Sequence, residues 1–192
     1  MGRPIRGPHP ARGGRPLKFT ELTIGGVFVI DVEPHPDERG FFARISCNDE
    51  FRAHGLDPQI VQSSISYNSK RGTLRGMHYQ AAPYEETKFV RCTAGAIYDV
   101  VVDLRRSSET YRRWTAVELT AANRRTLYVP RGVAHGFITL TDDAEVLYQM
   151  GVGYVADAAR GVRWDDAAFG IEWPMEPLVI SERDRAFASY RE

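Results

Sequence analysis

Apolar residues recur along this chain in short runs that alternate with polar positions, and turn-forming residues separate one run from the next. Runs rich in β-branched and aromatic residues, bounded by Gly, Pro or Asp, are typical of β-strands. The pattern predicts strands over Val27 to Val32, Phe41 to Ile45, Ile60 to Tyr67, Phe89 to Thr93, Ala96 to Leu104, Trp114 to Leu119, Thr126 to Val129, Gly136 to Leu140 and Ala144 to Met150. So many short strands favour an all-β sandwich or jelly-roll barrel.

Three segments lack this alternation. Residues 1–17 are rich in Gly, Pro and Arg, and their composition predicts a disordered basic tail. Asn48, a good helix N-cap, predicts one short helix that ends at Gly55. Residues 163–192 mix Trp, Pro and charged residues, and we expect them to wrap the barrel or to form a short helix. Residues 18–192 are therefore predicted to fold as a single domain.

Composition limits the classes of partner. The 192 residues include 25 basic and 25 acidic ones, so no net charge attracts the chain to nucleic acid or to an anionic membrane. No apolar run approaches the roughly 18 residues that span a bilayer, and the N-terminus lacks the apolar core of a secretory signal. Cys47 and Cys92 make no disulfide framework, which fits a reducing compartment. These features predict a cytoplasmic protein without nucleic-acid or membrane partners, with a nucleic-acid-binding tail as the alternative.

The segment Leu74 to Gln80 brings groups suited to proton chemistry into one short stretch of chain. Arg75 has a planar guanidinium whose fixed donors suit a phosphate. His78 carries the side chain best matched to proton transfer near neutral pH. Lys88 follows ten residues after His78 and could hold charge on an oxygen atom. Together these side chains predict proton chemistry on a phosphorylated ligand.

His135 ends a Pro-x-Gly-x-x-His turn, a feature of cupin-type jelly rolls. A single such histidine is more often a core or turn residue, but together with His78 it raises the alternative of a metal site. Gln80 and either Glu85 or Glu86 would complete that site. A neutral amide is a poor ligand for the relevant transition metals, so the position of Gln80 favours a site without metal.

Two predicted strands carry further polar candidates. Asp99 and Asp103 alternate with apolar residues, so both carboxylates fall on one face of their strand. An inward-facing pair would be costly unless it is hydrogen-bonded or catalytic, and the polar face of an edge strand is the alternative. Asp103 and Arg105 are spaced for a structural ion pair. Tyr148 lies in a strand, where a tyrosine usually packs its ring and leaves its hydroxyl wet.

A series of separated motifs runs through the chain in a fixed order. They are Asp37-Glu-Arg-Gly-Phe-Phe42, Gly72-Thr-Leu-Arg-Gly-Met-His-Tyr-Gln80, Lys88-Phe-Val-Arg-Cys92, Tyr98-Asp-Val-Val-Val-Asp-Leu-Arg105, Pro130-Arg-Gly-Val-Ala-His-Gly-Phe137, Val146-Leu-Tyr148, Arg163-Trp-Asp-Asp166 and Gly170-Ile-Glu-Trp-Pro174. This series resembles the dTDP-4-dehydrorhamnose 3,5-epimerase family, whose members are nucleotide-sugar epimerases. The resemblance extends over roughly residues 25 to 185.

The resemblance implies a cupin-type jelly roll with a few short helices and an enzyme that uses neither metal nor cofactor. The implied substrate is a nucleoside-diphospho-4-keto-6-deoxy sugar, in which C3, C5 or both are inverted through an enolate. By matched position, His78 is the implied general base, and Asp184 orients it. Lys88 is implied to stabilise the enolate oxygen, and Tyr148 to return a proton on the opposite face.

The resemblance also implies a set of substrate contacts and a homodimer. Members of the family exchange their early strands across a dimer interface, so Arg39 and Phe41 are expected to serve the partner's site. The full set of implied substrate-binding residues is Arg75 and Arg39 on the diphosphate, Gln62 on the sugar-nucleotide path, His135 with Asp99 at the pocket wall, and Phe41 and Tyr154.

The chain departs from the family pattern at four positions. Arg44 stands where a glutamate is usual, Ser63 where an acidic residue is usual, Ser64 where an asparagine is usual, and Arg112 where a glycine is usual. Arg44 and Ser64 fall at the predicted nucleotide end of the site, so the nucleotide base, dTDP or another, stays open. Three alternatives remain: a single-carbon epimerase or ketoisomerase of another nucleotide sugar, a metal-dependent cupin enzyme, and a non-catalytic cupin that binds sugar nucleotides.

Overall fold

The computed structural model of the protein describes residues 15–191, which form mainly antiparallel β-strands and two short helices. The strands are β1 (Lys18–Glu21), β2 (Phe28–Asp31), β3 (His35–Asp37), β4 (Gly40–Phe42), β5 (Gln62–Asn68), β6 (Thr73–Gln80), β7 (Lys88–Ala94), β8 (Ala96–Asp103), β9 (Trp114–Thr120), β10 (Thr126–Val129), β11 (Val133–Thr139), β12 (Ala144–Met150), β13 (Ala159–Gly161) and β14 (Val179–Ile180). The helices are α1 (Asn48–Ala53) and α2 (Glu182–Arg185), with a 3₁₀ turn at Ala156–Ala158.

Two large sheets make up the body of the fold. Sheet one has the strand order β1-β2-β10-β7-β12-β5, and sheet two has the order β13-β6-β11-β8-β9, with β14 added beside β6 in parallel. A separate hairpin joins β3 to β4. The two sheets form a sandwich, and the predicted all-β jelly-roll class is confirmed.

Side chains that point inward from both sheets build one core. Val90 and Val146 of sheet one pack in the same cluster as Val101 and Phe137 of sheet two, and each is at most 1 % exposed. Burying an apolar side chain of this size stabilises the folded state by roughly 1.5–3 kcal/mol. The rows of alternating apolar residues therefore hold the two sheets face to face.

Other segments cover parts of the outer faces. Helix α1 packs Phe51 against Phe89 and Tyr128 of sheet one. The C-terminal segment lays Phe169 and Trp173 over sheet two, which confirms that this segment wraps the barrel. It then adds β14 beside β6 and ends in α2. The C-terminal segment thereby returns to β6, the strand that contains His78.

Most predicted strands are present, and the exceptions have local causes. The strand β6 was not predicted, because Arg75, Gly76 and His78 interrupt its alternation. The strand predicted over Phe41 to Ile45 is wrong in its second half, since β4 ends at Phe42. The strands β1, β3, β13 and β14 have two to four residues each and give little periodic signal. Helix α1 begins as predicted at Asn48, but Cys47 is its N-cap.

The predicted disordered tail over residues 1–17 lies mostly outside the described residues. Leu17, at its end, is buried with Ile30 and Phe51, and its N–H donates a hydrogen bond to Glu50. Packed structure thus begins at least one residue before the predicted boundary at Lys18. The division into a tail and a single domain otherwise stays a prediction. Within residues 15–191, no helix is long and apolar enough to cross a membrane.

Asp103 ends β8 as a carboxylate with no exposed surface. The Arg105 guanidinium donates to both of its oxygens at 2.8 Å, and the hydroxyls of Ser108 and Thr110 each donate at 2.6 Å. Burial alone would raise the pKa of Asp103, but these donors outweigh burial and lower that pKa to about 2. The predicted ion pair between Asp103 and Arg105 is confirmed.

Asp103→Asn removes this charge and tests its contribution to stability. The folded-state pKa of Asp103 lies below its ordinary value, so the stabilisation is fully present above about pH 4 and is lost as the pH falls towards 2. We expect wild type to exceed Asp103→Asn in free energy of unfolding by about 2 kcal/mol at neutral pH. Urea unfolding measures the difference, and a difference that did not shrink on acidification would contradict the assignment.

Candidate active site

A cavity of about 320 Å³ opens between the two sheets at one end of the sandwich. Its volume is in the range of small-molecule sites. Both sheets, the loop before β13 and helix α2 contribute to its wall. The lining residues are Ser66, Arg75, His78, Tyr79, Gln80, Glu86, Lys88, His135, Tyr148, Met150, Val152, Tyr154, Ala159, Arg160 and Arg183.

The polar groups of the cavity continue the same inward-facing rows that build the core. Lys88 lies two residues before the core residue Val90 on β7, and Tyr148 lies two residues after Val146 on β12. Residues two apart in a strand share a face. The cavity is therefore the end of the core, where polar side chains replace apolar ones.

His78 and Asp184 form a hydrogen-bonded pair at the wall of the cavity. Nε2 of His78 lies 2.7 Å from Oδ1 of Asp184, and the imidazole is 40 % exposed while the carboxylate is 6 % exposed. Burial opposes the charged form of Asp184, but His78, the N–H of Gly76 and Ser181 together lower the pKa of Asp184. With Nε2–H donated to the carboxylate, Nδ1 is the ring nitrogen left to accept a proton.

A β-bulge in β6 turns both Arg75 and His78 towards the cavity. Pairing with β11 places His78 opposite His135 and Arg75 opposite Phe137, so a three-residue step on β6 faces a two-residue step on β11. In a regular strand, residues three apart point to opposite faces. The extra residue of the bulge therefore brings Arg75 and His78 to the same face of β6. Met77 lies on the other face, buried in the cluster outside sheet two.

The bulge depends on two glycines that meet across the strands. Gly76 has φ +136°, and a Cβ added there would lie 2.6 Å from the Cα of Gly136. Real Cβ atoms do not approach backbone atoms so closely. The N–H of Gly76 donates to Oδ2 of Asp184 at 3.2 Å, so the same glycine also holds the carboxylate behind His78.

Lys88 is a buried ammonium with two partners in the protein. Its Nζ lies 3.0 Å from Oε1 of Glu86 and donates to the backbone oxygen of His78 at 2.9 Å. The side chains of both Lys88 and Glu86 are about one-tenth exposed. A desolvated charge of this kind is tolerated only when it is paired. The pair places a fixed positive charge beside the histidine.

His135 and Tyr148 meet edge to face between the two sheets, with ring centroids 5.9 Å apart. Nε2 of His135 donates a hydrogen bond to Oδ1 of the fully buried Asp99. Burial and the charge of Asp99 raise the pKa of Tyr148, against a smaller lowering by Arg75. The phenol of Tyr148 therefore carries its proton at neutral pH.

Three guanidinium groups, those of Arg75, Arg160 and Arg183, lie around the same cavity. Arg75 is held by Asn68, whose Oδ1 accepts from its Nε at 2.7 Å. Arg160 donates to the backbone oxygens of Asp157 and Ala159 at 2.9 and 3.0 Å. Clustered arginines are suited to bind phosphate groups.

Comparison with known proteins identifies the family. A family model described as dTDP-4-dehydrorhamnose 3,5-epimerase matches residues 21–192. The chain belongs to the dTDP-4-dehydrorhamnose 3,5-epimerase family. The enzyme of that name from Sinorhizobium fredii is 41 % identical over 169 residues, which cover 88 % of this chain and 87 % of that protein. The predicted family and enzyme class, a carbohydrate epimerase, are confirmed.

Solved structures of family members have the same fold. The dTDP-4-dehydrorhamnose 3,5-epimerase of Bacillus anthracis, solved with TDP and PPi bound, is 36 % identical with a TM-score of 0.87, covering 91 % of this chain and 100 % of that one. A 3'-monoepimerase from Streptomyces bikiniensis, solved with dTDP-quinovose, is 35 % identical with a TM-score of 0.80, covering 88 % of this chain and 85 % of that one. The family thus includes enzymes described as acting on different carbons.

The structure brings most of the predicted site residues together. Those that line the cavity are His78, Lys88, Tyr148, Arg75, His135 and Tyr154. Asp184 and Asp99 lie behind the two histidines as their hydrogen-bond partners. Gln62 does not line the cavity; its Oε1 accepts the N–H of Tyr154 at 3.0 Å and so holds the loop at the rim.

Two predicted substrate contacts lie away from the cavity of their own chain. Arg39, on the β3–β4 hairpin, forms an exposed ion pair with Asp37. Phe41 is 45 % exposed, and the guanidinium of Arg124 lies 4.6 Å from its ring centroid. Their predicted role in a partner's site stays a prediction.

The positions that depart from the family pattern differ in location. Arg44 forms an ion pair with Glu50 of α1 and does not line the cavity. Ser64 is exposed on β5, directly opposite Tyr148. Arg112 has φ +66°, the left-handed conformation that favours glycine. Its side chain donates to the backbone oxygen of Ala168.

Two cavity residues differ from their predicted role, and two charged cavity residues were not predicted. Gln80 and Glu86 were weighed only as metal ligands. Gln80 instead ties loops together, donating to the backbone oxygens of Tyr84 and Gly153 and accepting from the N–H of Val155. Arg160 and Arg183 were not predicted, although Arg160 lies just before the Arg163-Trp-Asp-Asp166 motif and Arg183 directly before Asp184.

Four of the five residues named for the metal alternative are engaged with other groups. His78 binds Asp184, His135 binds Asp99, Glu86 binds Lys88, and Gln80 binds backbone. Within residues 15–191, no group of three or more His, Cys, Asp or Glu side chains is arranged to hold a metal ion. The arrangement present is two histidine–carboxylate pairs and one lysine–carboxylate pair.

Gly76→Ala should disrupt this site through the backbone. The added Cβ would meet Gly136 at 2.6 Å in a conformation that L side chains rarely adopt. We expect a loss of about 3 kcal/mol or more in free energy of unfolding. Gly25→Ala, where no atom lies within 4 Å of the new Cβ, is the control and should stay within about 1 kcal/mol of wild type. Equal stability of the two variants in urea would contradict the close approach.

Proposed function

We propose that this enzyme inverts C3 and C5 of a nucleoside-diphospho-4-keto-6-deoxy sugar, with the dTDP-linked sugar as its substrate. The observation that carries the proposal is the placement of His78 on β6 of sheet two and of Tyr148 on β12 of sheet one. The ammonium of Lys88 lies beside His78, where it donates to the backbone oxygen of that residue. A sugar ring between the sheets would present one face to each. Inversion requires that a proton leave one face and return on the other.

The reaction begins with a proton next to the C4 carbonyl. Nδ1 of His78 takes that proton, and the electron pair of the C–H bond forms a double bond to C4. The π pair of the carbonyl moves onto its oxygen, which gives the enolate. Asp184 stabilises the imidazolium that forms. The ammonium of Lys88 meets the negative charge on the enolate oxygen in a partly dry site, where such an interaction is strongest.

The reaction ends when Tyr148 gives its proton to the same carbon from the opposite face. The enolate electron pair forms the new C–H bond, and the carbonyl is restored. The position of Tyr148 on the sheet opposite His78 supports this role, because its phenol carries a proton at neutral pH when the enolate forms. Proton exchange with water resets His78 and Tyr148, and the cycle repeats at the second carbon.

Substrate binding is proposed to use the arginines of the cavity. Arg75, Arg160 and Arg183 provide donors for a diphosphate, and His135 and Tyr154 contact the sugar nucleotide from the wall and the rim. The relative from Bacillus anthracis that was solved with TDP supports a thymidine nucleotide. A location in the cytoplasm is part of the proposal, supported by Cys47 and Cys92, which are both free thiols.

Epimerisation at one carbon only is the second candidate. The similarity to a 3'-monoepimerase at 35 % identity supports it. The four residues proposed to carry the chemistry can serve a single inversion as well as two; they are His78, Asp184, Lys88 and Tyr148. The two candidates differ in which hydrogens exchange with water. They do not differ in the residues that carry the chemistry.

Deuterium incorporation tests the reaction and its position together. The enzyme is incubated in D₂O with 4-keto-6-deoxy sugars linked to dTDP, GDP, CDP or UDP, and C3 and C5 are followed by NMR. We expect deuterium at both carbons of the dTDP sugar. Deuterium at one carbon only, C3 or C5, would establish the second candidate, and no incorporation from any of the four nucleotides would refute the epimerase.

His78→Ala and Tyr148→Phe separate the two proton transfers. His78→Ala should abolish incorporation, because it removes the base. Tyr148→Phe should still incorporate deuterium at the face served by His78, but should form little inverted product, because the opposite face has lost its acid. Loss of both exchange and inversion in Tyr148→Phe would contradict the proposed division of roles.

A homodimer with exchanged early strands is also proposed. Phe41 and Phe42 of the hairpin are 45 % and 66 % exposed, and Ile65 and Tyr67 of the edge strand β5 are 66 % and 57 % exposed. Exposed apolar side chains and an open sheet edge both favour a partner surface. In a symmetric dimer, the hairpin that carries Arg39 could reach the cavity of the partner.

Mixed dimers test whether Arg39 acts across the interface. Arg39→Ala should lower kcat/KM by about 10- to 100-fold through loss of a phosphate contact, and His78→Ala should be inactive. Unfolding and refolding an equal mixture should restore about a quarter of wild-type activity, because half of the dimers are hybrids with one intact site. The control mixes Lys88→Met with His78→Ala: both side chains line the cavity of their own chain, so these hybrids have no intact site and should recover no activity. No recovery above the sum of the parents would contradict the exchange.

A further inference from the structure

Glu86 is a buried carboxylate whose two oxygens have different partners. Oε1 lies 3.0 Å from Nζ of Lys88, and Oε2 accepts the backbone N–H of Gln80 at 3.1 Å. Gln80 belongs to β6 of sheet two, and Lys88 begins β7 of sheet one. The carboxylate therefore links the two sheets at the mouth of the cavity.

The contacts of Lys88 leave one of its three N–H groups without an assigned partner. One points to Glu86, and another donates to the backbone oxygen of His78 at 2.9 Å. With two directions taken, the tetrahedral geometry of the ammonium fixes the third. Lys88 lines the cavity, so the third N–H is available to a ligand there.

We propose that Glu86 is a positioning residue, which holds the ammonium of Lys88 at a fixed place beside His78 so that its remaining N–H meets the enolate oxygen. This inference rests on the proposed function. Glu86 does not touch the reacting atoms. It acts by anchoring Lys88 to the strand that carries the base, and it balances a positive charge that has lost most of its water.

The neighbouring Glu85 is a natural control. It has the same charge one residue earlier, but it does not line the cavity, and its Oε1 lies next to Gly132. Glu86→Gln keeps the shape of the side chain. However, its amide nitrogen must face either Lys88 or the N–H of Gln80, and both are donors. One of the two contacts is therefore lost in either orientation.

The first test compares the two variants in the deuterium-incorporation reaction. Glu86→Gln should lower kcat by about 10- to 100-fold through misplacement of the ammonium, while KM changes less than about twofold because the diphosphate contacts remain. Glu85→Gln should match wild type. Equal kcat in the two variants would overturn the proposal, and so would a parallel change in kcat and KM.

A double-mutant cycle tests whether Glu86 acts through Lys88. Lys88→Met removes the ammonium and nearly preserves the length of the side chain. If positioning is the role of Glu86, adding Glu86→Gln to Lys88→Met should change kcat by less than about twofold. An equal loss from Glu86→Gln in both backgrounds would show a structural role instead and would overturn the proposal.

A measurement without substrate keeps the proposal independent of the reaction. The chain has three lysines, Lys18, Lys70 and Lys88, so ¹³C-lysine labelling gives three Cε signals, and Lys88→Met assigns one of them. A held side chain should give Lys88 two distinct Hε shifts in wild type and in Glu85→Gln, and these should merge in Glu86→Gln. Unchanged Hε shifts in Glu86→Gln would overturn the proposal. If wild type incorporates no deuterium, the proposed function fails while this spectrum still decides whether Glu86 holds Lys88.

Discussion

The hydrogen bond between His78 and Asp184 joins residues 106 positions apart in the sequence, and much of the fold serves to make it. The C-terminal segment must cross sheet two, add β14 beside β6 and end in α2 to deliver the carboxylate. The glycine contact between β6 and β11 must close to aim the imidazole and to supply a donor for Asp184. A change in either segment moves His78 away from Asp184.

The free-energy cost of burying a charge explains why the ionisable groups of the site occur in pairs. Lys88, Glu86, Asp99 and Asp184 are nearly excluded from water, and each is paired with another charged or titratable group. Such pairs add little net stability, but breaking one leaves a charge uncompensated. The pairs therefore fix geometry more than they stabilise the fold. The apolar core two residues away on the same strands supplies the stability.

The sequence predicts well what depends on local pattern. Alternation along β8 and β12 correctly places Asp99 and Tyr148, and the Asp103–Arg105 spacing correctly predicts an ion pair. The strand β6 was missed because its bulge breaks the period that defines a strand. Asp184 could be assigned only by resemblance, since no periodicity shows that a C-terminal helix returns to β6. Glu86 was read as a metal ligand because its partner, Lys88, is identified only by the three-dimensional contact.

The central claim is that a sugar ring lies between a base on one sheet and an acid on the other. A crystal structure of His78→Ala with a dTDP-linked 4-keto-6-deoxy sugar tests this directly. The account predicts the sugar in the cavity, its C4 oxygen within hydrogen-bond distance of Nζ of Lys88, with Cβ of residue 78 and the hydroxyl of Tyr148 on opposite faces of the ring. A sugar bound outside the cavity, or with both side chains on the same face, would contradict it.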